Sequence, residues 1–227
     1  MLDYFDLHFL TEAGFAAMAG WSPCQLQAAV QDRLVPGPSY RLAGQVHVTS
    51  FLDDGVQDLD VAYHLTSHLA WIGEIQRFGI KDEAEAKALF MSRYEGAKRI
   101  FAMTDPGAAL IMAAPEVMPA FDEQHAMMTW DHFLNGVYGS CTRNGAPETI
   151  FCKQVGVRMI EALIRTAPEA MPAATKALLT EAVDFLDQVV SEFAPHERAR
   201  SSRQRCIDDV RACYLAEQKD KKSDRLP

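Results

Sequence analysis

Hydrophobic residues recur at spacings of three and four over most of the chain after residue 57. This is the period of an amphipathic helix. Capping residues and prolines divide the pattern into segments. It predicts helices over 58–78, 82–103, 121–140, 147–167, 172–193 and 201–218, with a turn at 105–107. The predicted fold class is therefore all-α, with a bundle of about six helices over residues 57–218 and a disordered polar tail over 219–227.

The first 52 residues have a different pattern and predict a separate small module. Thr11 and Ser22 are N-cap residue types, and Gly20 divides the two short apolar stripes that follow them. Two short helices joined by a glycine turn predict a helix-turn-helix. After it, residues 40–42 and 45–49 indicate a short hairpin with its turn at 43–44.

The composition is that of a globular protein. Of the 227 residues, 48% are hydrophobic and 23% are charged, which excludes a disordered or fibrous chain. There is no run of 18 apolar residues and no signal-peptide pattern at the start. The five cysteines lack Cys-x-x-Cys spacing and predict reduced thiols. We therefore expect a cytoplasmic protein with no membrane partner.

The charge distribution bears on nucleic-acid binding. The formal net charge is −9, and residues 1–60 carry only two basic side chains, Arg33 and Arg41. The turn at 19–22 and residues 34–36 resemble the N-terminal module of MerR-type regulators. That resemblance implies that the second helix enters the major groove. Because phosphate contacts need cations and this helix has only Arg33, DNA is an unlikely partner, and a docking role for the module is favoured.

Asp60, His64 and His68 recur at intervals of four, which on a helix places them on one face. Two imidazoles and a carboxylate are suitable ligands for a divalent metal. The alternative is that the histidines border the core. Since no second ligand set is evident, we predict no bound metal, and the sequence indicates no particular cofactor.

Residues 130–153 contain a first set of candidate site residues. Gly136 and Gly139 flank Tyr138 within a helical pattern, which weakens a helix unless close packing offsets the loss. Cys141 follows, and it is a candidate nucleophile or ligand-facing thiol. Its alternative role is that of a small buried residue at a tight corner. Tyr138 and Lys153 are candidate substrate-binding residues.

Residues 195–205 contain the second set. His196 and Glu197 are candidates for acid–base chemistry. Ser202, Arg203 and Arg205 surround a predicted helix start, where free N–H groups favour an anion. The alternative is a capped helix with salt bridges. We predict that this segment and residues 130–153 meet and line one pocket.

Several motifs together resemble a known group of proteins. They are Tyr4-Phe5 with His8-Phe9, Pro36-x-Pro38-Ser39-Tyr40, the run from Trp130 to Thr142, Pro147-Glu148-x-Ile150 with Lys153, and Pro195-His196-Glu197 with Ser201-Ser202-Arg203-x-Arg205. They resemble a bacterial family of unknown function whose members are commonly labelled natural product biosynthesis proteins. The resemblance implies a setting in specialised metabolism and no particular reaction.

Three functions follow from these observations. The first is a cytoplasmic helical protein that binds or transforms a small anionic or amino-acid-like molecule in specialised metabolism. The second is a MerR-like regulator whose bundle senses a ligand. The third is a non-catalytic protein that docks on a protein partner. The sequence does not decide whether the chain is an enzyme.

Overall fold

The computed structural model describes residues 1–216. Within them the chain is mostly helical, with one small sheet. The α-helices are α1 (Leu2–His8), α2 (Glu12–Met18), α3 (Pro23–Gln31), α4 (Leu69–Phe78), α5 (Glu83–Met103), α6 (Asp105–Ala113), α7 (Glu123–Leu134), α8 (Val137–Cys141), α9 (Pro147–Leu163) and α10 (Ala173–Val189). The strands are β1 (Phe9–Thr11), β2 (Tyr40–Thr49) and β3 (Asp54–Leu65). Short 3-10 turns cover Thr66–His68, Met118–Ala120, Pro168–Ala170 and Arg198–Arg200. Residues 202–215 form a continuous helix where the last helix was predicted, with π-helical segments at Gln204–Asp208 and Arg211–Leu215.

The core lies between the long helices. Helix α9 packs against both α5 and α10. Aromatic side chains fill the space at one end, where the Phe90 ring lies 5.3 Å from Trp130 and 4.9 Å from Phe133 between ring centroids. Burial of large aromatic side chains is a major stabilising contribution in a domain of this size. The predicted bundle of long helices is therefore present.

The sheet is larger than the predicted hairpin. Its strand order is β1-β3-β2, and both pairings are antiparallel. The β2–β3 register runs from Tyr40 opposite Tyr63 to Thr49 opposite Asp54, so the turn lies at residues 50–53. The predicted turn at 43–44 was wrong, because pairing with β3 keeps that part of the chain extended.

Residues 58–65 were wrongly predicted as helix and belong to β3. Large apolar side chains alternate with smaller or polar ones over residues 58–65, which is the period of a strand. The apolar positions are Leu59, Val61, Tyr63 and Leu65. The spacing of Val61, Leu65 and Leu69 also fits a helix, so the sequence pattern is compatible with either a helix or a strand. The predicted boundary between modules runs from residue 52, in the hairpin turn, to residue 57, on β3. The division into two domains stays a prediction.

N-cap residues in the sequence correctly predicted several helix starts. Thr11, Ser22, Asp82 and Ser201 each accept a hydrogen bond from a backbone N–H three residues later, as N-caps do. Helices α2 and α3, with Gly20 between them, lie where they were predicted. Two predictions failed. Residues 105–107 begin α6 after a cap by Thr104, and Gly136, at φ +72°, separates α7 from α8.

Candidate functional site

The two segments that carry the predicted site residues are in contact. Thr142 and Val190 form an isolated antiparallel bridge, and the Arg143 backbone N–H donates to the Val189 carbonyl at 2.9 Å. The Ser191 hydroxyl donates to the Ser140 carbonyl at 2.7 Å. These contacts join residues 140–143 to residues 189–191, which precede the 195–205 segment, and Arg143 and Arg203 line one cleft. That the other site residues of the two segments share a pocket stays a prediction.

Cys141 is buried at the end of α8. Burial raises the pKa of its thiol, while the ammonium group of Lys153, within hydrogen-bonding reach, opposes that rise without cancelling it. The sulfur is therefore a neutral thiol at pH 7, and a neutral thiol is a poor nucleophile. This observation favours the structural role for Cys141.

Glu197 joins the second segment to the sheet. Its carboxylate accepts a hydrogen bond of 2.7 Å from the Tyr40 hydroxyl. Burial and this bond raise the pKa of Tyr40 far above its ordinary value. His196 lies at the surface, with its Nε2 3.9 Å from Glu197 Oε1. Sequence reasoning selected Glu197 and His196 but missed Tyr40 as a site residue.

Tyr138 belongs to a buried network between helices. Its hydroxyl accepts from Gln154 Nε2 at 2.7 Å, and the Tyr94 hydroxyl donates to Gln154 Oε1 at the same distance. Burial raises the pKa of Tyr138 to about 12. The network ties α8 to α9 and α5 and occupies the Tyr138 hydroxyl.

The arginines of the predicted anion cradle face carboxylates. The arginine network consists of Arg143, Arg198, Arg203 and Arg211 with Asp184, Asp187, Glu192 and Asp208. The Arg203 side chain is 11% exposed, and its Nη1 lies 2.7 Å from Asp187 Oδ1. Arg205 points elsewhere and pairs with Glu161 at 2.9 Å. The buried Ser202 hydroxyl has no hydrogen-bond partner among residues 1–216. Four cations against four carboxylates leave no excess positive charge for an anion.

The glycines beside Tyr138 do permit close packing, as predicted, but against a different segment. A Cβ on Gly136 would lie 2.5 Å from the Pro38 carbonyl oxygen, and one on Gly139 would lie 2.0 Å from Ser39 Oγ. The neighbour is therefore the loop before β2, and not residues 195–205. The Gly37 backbone N–H donates to the Leu134 carbonyl at 2.8 Å beside this contact.

A small cavity lies where α1, α8 and the chain after α10 meet. Its volume is about 120 Å³. We call it the Tyr4 cavity, and its lining includes Tyr4, His8, Phe9, Gly139, Arg143 and Glu192. Arg143 Nη2 and Glu192 Oε1 lie 3.8 Å apart, and each side chain is about half exposed. The cavity thus combines aromatic walls with one charge of each sign.

Asp60, His64 and His68 do not share a helix face. Asp60 and His64 are on β3, and His68 is in the turn before α4. Asp60 is exposed and paired with Arg41, whereas both histidines are buried. In residues 1–216, no group of three or more His, Cys, Asp or Glu side chains is arranged to hold a metal ion.

The two imidazoles are unusual for buried polar groups. His64 stacks on Phe15, and His68 packs against the Phe133 ring edge. Within the described part of the chain neither ring forms a hydrogen bond of normal geometry, although the Pro36 backbone lies close enough to His64 to oppose the lowering of its pKa. Burial lowers the pKa of His64 to about 4 and that of His68 to about 3. Both rings are therefore neutral at pH 7.

Beside His68 lies a cleft of about 330 Å³ that sequence reasoning missed. Among the described residues that line it, Arg93 is the one arginine. The Arg93 guanidinium donates to both carboxylate oxygens of Glu148 at 2.7 Å and to Glu74 at 2.5 Å. Burial alone would raise the pKa of Glu148, but the bonds from Arg93 hold it below its ordinary value. The signal in the sequence was Pro147-Glu148, whose partner lies 55 residues earlier.

Arg33, the one basic residue of the second helix in the predicted helix-turn-helix, forms ion pairs with two carboxylates. Arg33 Nε lies 2.7 Å from Glu83 Oε1, and its Nη2 lies 2.6 Å from Asp131 Oδ1. These two carboxylates raise the pKa of Arg33 further. Arg33 ties α3 to the bundle.

Comparison with known proteins gives a family and no characterised relative. Neither the curated proteins nor the solved structures compared with this chain gave a match. Within residues 1–216, no helix is long and apolar enough to cross a membrane. A family model described as "Family of unknown function (DUF6058)" matches residues 86–215, which is more than half of the chain and includes the Gly136–Glu148 and Pro195–Arg205 segments. The chain therefore belongs to the DUF6058 family.

Proposed function

We propose that this protein binds a small amino-acid-like molecule in the Tyr4 cavity, in the specialised metabolism that the sequence resemblance implies. The observation that carries the proposal is the pair of opposite charges, Arg143 and Glu192, in a cavity that aromatic side chains also line. A zwitterion presents a carboxylate and an ammonium group close together, which matches such a pair.

The charge pair is loose enough to accept a ligand. Its atoms lie 3.8 Å apart, beyond hydrogen-bonding distance. An exposed pair of this kind contributes little to stability. Glu192 also pairs with Arg198 and Arg203, and Arg143 also donates to the Asp187 carbonyl. A ligand therefore replaces only the contact between Arg143 and Glu192. A single anion would meet Glu192 as well as Arg143, so the zwitterion is favoured over the simple anion.

The size of the cavity limits the ligand. Pockets for drug-sized ligands occupy about 300–1,000 Å³, and this cavity has about 120 Å³. The Tyr4 and Phe9 rings form part of its walls. We therefore expect a small ligand with a short side chain, of the size of alanine. With Cys141 a neutral thiol, binding is the proposed activity, and His196 and Glu197 stay candidates for chemistry.

Titration with L-alanine, followed by the NMR signals of the cavity residues, tests this function. Propionate and ethylamine, which each carry half of the zwitterion, serve as ligand controls. We expect alanine to bind at least tenfold more tightly than either half. Arg143→Gln and Glu192→Gln should each weaken alanine binding about tenfold, whereas Arg205→Gln should not change it. Equal binding of alanine and propionate, or equal loss in Arg205→Gln, would overturn the proposal.

A MerR-like regulator is the second candidate, favoured by the Ser22 capping box that begins α3 after the Gly20 turn. Against it, Arg33 is held by two carboxylates, so α3 has little with which to anchor a phosphate backbone. We expect no specific duplex binding tighter than micromolar at physiological salt. A nanomolar, sequence-dependent gel shift with the DNA upstream of its own gene would reverse this ranking.

A further inference from the structure

The β2–β3 hairpin extends away from the rest of the molecule. Residues 43–58 are exposed on both faces, apart from half-buried Gly55. At about 3.3 Å per residue, the paired segments 44–49 and 54–59 project by roughly 20 Å. A two-stranded ribbon without a covered face is only marginally stable in water. We call residues 44–59 the arm.

The tip of the arm is apolar. Phe51 is 96% exposed and Leu52 is 81% exposed. Val48 and Val56, 50% and 59% exposed, lie just below the tip. Adjacent exposed apolar residues at the end of a projecting element indicate an interaction surface and not a solvated loop. Asp53 and Asp54 follow the apolar pair directly and make the tip acidic.

A groove with complementary properties lies on α5 and α7 of the same chain. Its volume is about 570 Å³, and Met91, Ala126 and Met127 form its apolar floor. Methionine adapts its shape to different apolar partners. Lys87 and Lys98 lie at the rim with Glu95 and Glu123. Lys98 is bound to Glu95 and to the Phe121 carbonyl, whereas Lys87 has no ion pair with any residue from 1 to 216.

We infer that two copies of this chain exchange arms, with Phe51 and Leu52 of each copy seated in the Met91–Met127 groove of the other. Asp53, which has no ion pair with any residue from 1 to 216, then faces Lys87, while Asp54 keeps its bond to His47. In one copy the tip contacts no core cluster, so tip and groove are both open. Reciprocal tip-to-groove contacts close around a two-fold axis, which is the commonest symmetry of soluble oligomers.

The oligomeric state of the full chain tests this inference. Size-exclusion chromatography with light scattering should give a dimer at tens of micromolar. Phe51→Ser/Leu52→Ser, which changes the tip, and Met91→Ser/Lys87→Glu, which changes the groove, should each give a monomer. Met112→Ser is the control, because Met112 is 83% exposed but lies outside both surfaces. This variant should stay dimeric.

Mixing the two monomeric variants gives the sharper result. The tip variant keeps an intact groove and the groove variant keeps an intact tip, so the mixture should form a heterodimer through one remaining contact. Circular dichroism of each variant establishes that it is folded. A monomeric wild-type chain at 200 micromolar would overturn the inference. So would a dimer that survives the tip substitutions, because that result would assign the interface to the β2 edge or another surface.

Discussion

The arginine network and the buried histidine pair are opposite cases of how this fold treats polar side chains. The network lies near the surface, and each of its four guanidinium groups faces a carboxylate. His64 and His68 are at most 2% exposed and form no hydrogen bond of normal geometry within the described residues. The buried network atoms without a regular hydrogen bond, Arg203 Nε and Nη1 and Asp187 Oδ1, each lie within ion-pair distance of an opposite charge, whereas the imidazoles have no such neighbour among the described residues. An unpartnered buried polar group is the rarer feature of folded proteins, so the histidine pair is the stronger mark of special chemistry.

The largest expected effect concerns the histidine pair and acid. Unfolded histidine has a pKa near 6.5, whereas the folded values are about 4 and about 3. The unfolded chain therefore binds more protons below pH 6.5, and the free energy of unfolding falls as the pH falls. Two independent groups predict a loss of about 3–4 kcal/mol between pH 6.5 and 5.

Urea denaturation at pH 5 to 7 measures this effect. In His64→Leu/His68→Leu, most of the pH dependence over that range should vanish, because neither leucine can take up a proton. The control variant is Asp60→Asn, which removes an exposed ion pair with Arg41 on the same hairpin. It should leave the pH dependence of stability nearly unchanged. If the free energy of unfolding changed equally with pH in the wild type and the double variant, the two histidines would not have the lowered pKa values that this prediction requires.

The second effect concerns Gly136, which packs against the loop before β2. Gly136→Ala should lower the free energy of unfolding by about 3 kcal/mol, since its Cβ would meet the Pro38 carbonyl and its φ is positive. Gly20→Ala has the same φ of +72° but nothing within 4 Å. It should cost about 1 kcal/mol. Thermal and urea unfolding of both variants measure the two costs. The loss in Gly20→Ala gives the cost of the positive φ alone, and the additional loss in Gly136→Ala gives the cost of the steric clash with Pro38.

The third effect tests whether the arginine network is structural. Arg203 has an 11% exposed side chain and two carboxylate neighbours, whereas Arg205 is 60% exposed with one. Arg203→Gln should lower the free energy of unfolding by about 1–2 kcal/mol and Arg205→Gln by less than about 0.5 kcal/mol. Equal stabilities of the two variants would mean that the network contributes nothing beyond surface pairing.

The smallest expected signal is thiol reactivity at Cys141. Burial raises the pKa of this thiol, and the side chain is covered. In the native protein, a thiol reagent should modify Cys24 and Cys213, which are exposed, long before Cys141 or Cys206. Mass spectrometry of the partly labelled protein gives the order. Early labelling of Cys141 would restore it as a candidate nucleophile.

The sequence alone determined the helical character of the chain and most helix starts. A cap such as Ser22 or Asp82 acts on an N–H group three residues away, so it works before any tertiary contact forms. The same holds for the proline that begins α9. Candidate site residues could be named from the sequence because the functional group of a side chain does not depend on the fold. Two of them, Cys141 and Lys153, do lie close together.

Only the tertiary structure decided the state of those residues. Residues 57–65 satisfy both a helical and a strand period, and the choice depends on pairing with Tyr40–Thr49, which lies earlier in the chain. Partners such as Glu148 for Arg93 or Asp187 for Arg203 lie too far along the sequence for spacing to reveal. Burial of His64 and His68 likewise arises only when α2 and α7 cover them. Caps depend on neighbours in sequence, whereas charge compensation and desolvation depend on neighbours in space.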